Sequence, residues 1–135
     1  MSIWTPYTPQ WTAPITNPAI GNGILRGMYT QSDRFVIAVI YIEAGSTTTF
    51  GGGLEYSLSL PIPPDLSQPY IGPSRALNSG VAYYSGTCET QTDGLVKVIL
   101  GSNAGQYWGP TFPWKFKNRD ELNASMIYQS ATIGS

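Results

Sequence analysis

The sequence predicts an all-β protein, an antiparallel β-sandwich of the jelly-roll type with an extended N-terminal arm. Charged residues make up only 11% of the chain, while aromatic residues make up 13% and glycine and proline are frequent. That composition is typical of a turn-rich β-protein and differs from disordered chains, which have few aromatic residues and a high net charge. No segment of eleven or more residues has apolar residues at helical spacing. Seven or eight short β-prone segments alternate with turn signals, as in sandwiches.

At 135 residues the chain is long enough for one domain with a core of its own. Residues 1–23 contain four prolines and are predicted to form an extended arm, because proline disfavours both helices and central strands. Residues 24–135 are predicted to form a single β-sandwich domain. Within the arm, Trp4, Tyr7 and Trp11 either dock on their own subunit or anchor the protein to a neighbour.

The first strands are predicted from residue 24 to residue 60. Residues 24–30 and 35–42 read as an antiparallel hairpin joined at residues 31–34. Residues 34–61 as a whole read as strand, turn and strand, with a Thr/Gly-rich turn at residues 45–53. The strand at residues 54–60 alternates, placing Leu54, Tyr56, Leu58 and Leu60 on one face.

The second half of the chain begins with a stiff loop, residues 61–73, that contains five prolines. Residues 74–78 and 81–84 are predicted as short strands, the latter bounded by Gly80 and Gly86. Asp93-Gly94 predicts a tight hairpin turn between residues 88–92 and 95–100. A long aromatic loop at residues 101–116 precedes a final alternating strand at residues 121–130.

The strand at residues 35–42 is apolar on both faces, which predicts a cover on both sides. One face lines the core, and the chain has little of its own with which to cover the other. An uncovered apolar face of this kind usually marks a protein interface. We therefore expect a homo-oligomer, with an interface assigned to one face of this strand. The assigned residues are Val36, Ala38, Ile40 and Ile42.

Chemistry that depends on histidine or cysteine clusters is excluded by composition, because the chain has no histidine and only Cys88, which is expected to be a small buried thiol. Neither a cofactor nor a metal site is expected, and the protein is not expected to be an enzyme. Carboxylates alone can hydrolyse glycosides, so a hydrolase using Glu55 and Glu89 remains a distant alternative. The net charge of −1, with scattered Lys and Arg, argues against nucleic acid as a partner. Neither a signal peptide nor a membrane-inserted segment is expected.

The aromatic residues are the best candidates for ligand binding. Paired aromatic side chains stack on sugar rings or become buried at protein interfaces. Because neighbouring residues of a strand face opposite ways, Tyr83 and Tyr84 cannot both be in the core. The predicted ligand-binding residues are Tyr83, Tyr84, Tyr107 and Trp108, with packing of the long loop as the alternative role for Trp108.

Several stretches of the chain together resemble modules from tail fibres and minor tail proteins of bacteriophages, particularly those of actinobacteria. These stretches are residues 7–11, 16–23, 27–29, 45–53, 56–61, 113–114 and 120–122. The resemblance implies a β-sandwich, commonly trimeric, that is carried on the virion with other virion proteins and contacts a glycan of the host surface. The alternative within the virion is a capsid decoration protein anchored by the Trp/Pro-rich arm.

Overall fold

The computed structural model describes residues 3–101 and 106–132, and these residues form nine β-strands and no helix. The strands are β1 (Thr5–Tyr7), β2 (Trp11–Thr12), β3 (Ile24–Ser32), β4 (Phe35–Glu43), β5 (Ser57–Leu58), β6 (Ile71–Asn78), β7 (Ala82–Thr90), β8 (Val96–Leu100) and β9 (Glu121–Gln129).

The described strands belong to one continuous sheet in the order β1-β3-β4-β9-β6-β7-β8-β5-β2. Every neighbouring pair is antiparallel. The all-β antiparallel class predicted from composition and turn spacing is therefore confirmed. The sheet is curled into a half-barrel whose two halves face each other across one core, an arrangement like that of a sandwich.

The arm explains why the sheet curls. Strands β1 and β2 lie at opposite edges of the sheet, yet Tyr7 and Trp11 are only four residues apart in the chain. Four extended residues span at most about 14 Å, whereas nine flat strands would place their edges roughly 38 Å apart. Only a curled sheet satisfies both limits. The main chain of Gln10, between the two strands, donates to Ser59 Oγ at 2.7 Å and accepts from the Ser59 amide at 3.0 Å.

The core lies on the concave side of the sheet, and it contains the four residues that the sequence assigned to an oligomer interface. Val36, Ala38, Ile40 and Ile42 are at most 5% exposed, and they belong to the main hydrophobic cluster. The assignment to that face is therefore wrong, because those side chains contact the facing half of the sheet. The alternate residues of β4 point outward, and Phe35, Ile37 and Val39 remain 36–60% exposed.

Strands β4 and β5 do not form the hairpin that residues 34–61 predicted. Strand β4 pairs with β3 and β9, whereas β5 pairs with β2 and β8 near the opposite edge. Strand β5 is only two residues long, and Leu54 on the preceding segment is 63% exposed. The turn of residues 45–53 instead bonds to the end of the arm: Ala19 and Thr49 exchange two backbone hydrogen bonds. The hairpins β3–β4 and β7–β8 are confirmed.

Strand β7 runs uninterrupted through Gly86, where the sequence predicted a break between two short strands. Gly86 lies opposite Leu100 on β8. A Cβ at this position would overlap the carbonyl oxygen of Ile99 and lie 2.8 Å from its carbonyl carbon. The glycine therefore permits a close approach of two strands within the sheet and does not end a strand.

Candidate functional site

Trp108 is part of the core and is not available to a ligand. Its side chain is fully buried. The indole stacks on Trp11 with ring centroids 6.1 Å apart, and it meets Tyr56 edge to face at 4.6 Å. The packing alternative for this residue is confirmed, and its assignment to ligand binding is wrong.

The arm residues Tyr7 and Trp11 also dock on their own subunit. Trp11 is 5% exposed, and the Tyr7 ring lies over Gly27 and meets Tyr29 edge to face at 6.0 Å. An anchor to another protein has to be accessible, so Trp11 cannot serve as one, and Tyr7 is partly buried against its own subunit. Trp4, at 44% exposed, is the most accessible of the three.

Tyr107 lies in a charged cluster near the end of β7. Its ring is 5.7 Å from Lys97 Nζ, and Lys97 forms an ion pair with Glu55 at 2.7 Å. Glu89 on β7 is the cross-strand partner of Lys97. The two carboxylates considered for hydrolysis therefore lie near the same lysine, Glu55 as its ion-pair partner and Glu89 as its neighbour across the strands.

Tyr83 and Tyr84 face opposite sides of β7, as strand geometry requires. Tyr83 is 63% exposed on the convex side, with the guanidinium carbon of Arg75 4.9 Å from the ring centroid. Tyr84 packs on Trp114 at 4.7 Å. The indole of Trp114 donates to the buried carboxylate of Asp120 at 2.9 Å, which holds this end of the long loop in place.

The predicted ligand-binding residues do not form one site. Tyr83 lies near the start of β7, and Tyr107 is beside Gln91, just after its end. Eight residues of extended strand separate these ends by roughly 26 Å. Of the four residues, Tyr83 is the one that presents an open aromatic ring on the convex face.

The convex face of β3, β4 and β9 has an apolar end and a polar end. The apolar end, called here the apolar patch, has side chains that are 36–60% exposed, and its members pair across strands. The apolar patch consists of Met28, Phe35, Ile37, Val39 and Ile127.

The polar end is a cross-strand row that the sequence did not predict. Arg26, Tyr41 and Asn123 are register partners on β3, β4 and β9, and Asn123 pairs in turn with Arg75 on β6. We call these four residues the Tyr41 row. Beside it, Glu43 lies directly opposite Glu121. The alternation of residues 121–130 is a signal that could have placed Asn123 on the outer face, but only the register shows which residues it meets.

Tyr41 is the centre of this row. Its hydroxyl donates to Glu43 Oε1 at 2.7 Å, and the guanidinium carbon of Arg26 is 5.0 Å from its ring centroid. Burial raises the pKa of Tyr41 well above its ordinary value, aided by the hydrogen bond to Glu43 and by the charges of Glu121 and Glu43. The Tyr41 hydroxyl is therefore a stable neutral donor. A groove of about 520 Å³ opens beside the ring, with Arg26, Asn123, Met28 and Val39 among its lining residues.

No family model, curated protein or solved structure matches this chain. Among the described residues, no group of three or more acidic or cysteine side chains is placed to hold a metal ion. No helix long and apolar enough to cross a membrane is found in the same part of the chain.

Proposed function

We propose that this protein is a self-associating structural module of a phage virion, of the tail-tip or fibre type, that contacts a host-surface glycan. The observation that carries self-association is the apolar patch. Five partly exposed apolar side chains form a contiguous surface on three neighbouring strands, and burying such a surface favours association. We propose that another copy of the same chain covers the apolar patch.

The assignment to a virion, and to its tail, depends on the sequence resemblance. Two features of the structure agree with an attachment module. An all-β chain with short edge strands suits a rigid display scaffold, and Pro6 in the edge strand β1 limits unwanted strand addition. Capsid decoration through the arm is less well supported, because strands β1 and β2 and the Trp11 side chain are packed into the arm's own subunit, although Ile3, Trp4 and Ile15 stay exposed.

Light scattering coupled to size exclusion tests self-association. The wild-type chain is expected to elute at three times its 14.6 kDa mass. The double variant Phe35→Ser/Ile127→Ser should elute as a monomer, because both side chains are 60% exposed and contribute little to the core of the subunit. Leu66→Ser is the matched control: Leu66 is 56% exposed on a loop outside the patch, so the oligomer should persist.

A wild-type chain that remains monomeric at micromolar concentration would contradict the oligomer. So would a double variant with unchanged mass. The virion assignment is tested separately, by mass spectrometry of purified phage particles from the source genome and by locating the protein on them by cryo-electron microscopy.

A further inference from the structure

The Tyr41 row crosses four strands of the convex face. Arg26, Tyr41, Asn123 and Arg75 follow one another on β3, β4, β9 and β6. At about 4.8 Å per strand the row is roughly 14 Å long. The adjacent row brings Glu43, Glu121, Leu77 and Tyr83 onto β4, β9, β6 and β7. This length suits an extended ligand that lies across the strands.

The two rows combine aromatic rings with planar hydrogen-bonding groups. Tyr41 and Tyr83 each have an arginine beside the ring, at 5.0 and 4.9 Å. Between the rings lie the amide of Asn123 and the carboxylate of Glu121. Guanidinium, amide and carboxylate groups donate to or accept from hydroxyl groups, while aromatic and apolar surfaces pack against carbon.

The arrangement of the two glutamates is costly in the free protein. Like charges placed directly opposite on neighbouring strands destabilise a sheet, and Glu43 and Glu121 are such a pair. Natural chains keep locally unfavourable choices mainly where function requires them. A ligand that donates hydroxyl groups to both carboxylates would offset part of this cost.

The charges of the two rows indicate an uncharged ligand. Arg26 and Arg75 balance Glu43 and Glu121, and the chain as a whole has a net charge of −1. A polyanion would meet two carboxylates here, and binding polyanions normally requires a basic patch. We infer that the two rows bind a neutral polysaccharide, with Tyr41 at one end and Tyr83 at the other. This inference rests on the proposed function, and it identifies the site and the ligand class.

Native gel electrophoresis in gels that contain a polysaccharide tests the inference. The probes are dextran, mannan and galactan as neutral polymers and alginate as an acidic one. At least one neutral polymer should retard the wild-type protein, and alginate should not. Asn123→Ala and Tyr41→Ala should each weaken the retardation at least tenfold, whereas Thr87→Ala, on the convex face outside both rows, should leave it unchanged.

Thermal melts show whether each variant is folded. If Tyr41→Ala does not fold, Asn123→Ala alone still tests the inference. The inference is overturned if no neutral polymer retards the wild-type protein, if alginate retards it as strongly, or if both folded variants bind normally. A wild-type protein that is retarded by a neutral polymer but remains monomeric in solution would overturn self-association and leave the inference standing. If the wild-type protein is an oligomer but binds none of the polymers, the inference is overturned and self-association is not.

Discussion

At the scale of single residues, Cys88 shows how burial determines the chemistry of a side chain. Its thiol is 1% exposed, and the Sγ donates towards the carbonyl oxygen of Ser125 at 3.3 Å. Burial raises the pKa of Cys88 from an ordinary value of 9.0 to about 11, against the lowering effect of hydrogen bonds from nearby backbone groups. A buried thiol was the role predicted from the sequence, and the structure confirms it.

The raised pKa predicts a loss of stability at alkaline pH. The neutral thiol stabilises the fold fully below pH 9, and this contribution is lost as the pH rises from 9 towards 11. Between pH 8 and pH 10 the free energy of unfolding of the wild-type protein should fall by about 1 kcal/mol more than that of Cys88→Ala. Urea titrations at both pH values measure this difference. The ionisation of tyrosines contributes equally to both proteins, because both contain the same tyrosines. Equal falls would contradict the prediction.

At the scale of elements, strand β7 shows that a glycine flanking a β-prone segment need not mark a turn. Gly80 and Gly86 both look like turn signals in the sequence, but only Gly80 has the positive φ of a turn, at 81°. Gly86 lies inside a strand that pairs with β6 on one side and β8 on the other. The difference depends on how closely β8 approaches, which no local pattern records.

Replacing Gly86 by alanine should therefore destabilise the protein strongly. The new Cβ would overlap the Ile99 carbonyl, which is main chain and cannot rotate away, so the strands have to separate. Overpacking of this kind costs about 1–3 kcal/mol or more. Gly52→Ala is the matched control, since its Cβ would meet nothing closer than 4.0 Å. Chemical denaturation of both variants measures the costs, and similar costs would refute this account of β7.

At the scale of the whole molecule, the arm is what closes the fold. Strands β1 and β2 pair with β3 and β5 near opposite edges, so residues 5–12 bridge the two margins of the sheet. Trp11 places its indole among Tyr56, Phe50 and Trp108, with centroids 5.0–6.3 Å apart. The arm before the predicted boundary at residue 23 therefore contributes two strands to the same sheet as the rest of the chain.

This role predicts a large loss of stability when one tryptophan of the arm is replaced and a small change when the other is replaced. Trp11→Ala should lower the free energy of unfolding by about 3–5 kcal/mol, because it empties the centre of an aromatic cluster. Trp4→Ala should change it by less than about 1 kcal/mol, because Trp4 is 44% exposed. Thermal or urea unfolding of the two variants measures both changes in stability. Equal losses would show that the arm does not depend on the docking of Trp11.

The amino-acid sequence alone predicts the all-β class, the hairpins β3–β4 and β7–β8, the final alternating strand and the burial of Cys88. These properties depend on residues close together in the chain: alternation, turn residues and composition. Only the tertiary structure decided that β5 lies far from β4, that Val36 faces inward while Ile37 faces outward, and that Arg26, Tyr41 and Asn123 share a row. An apolar pattern on both faces of a strand cannot say which face meets the core, because that choice depends on which distant strands pair and how the sheet curls.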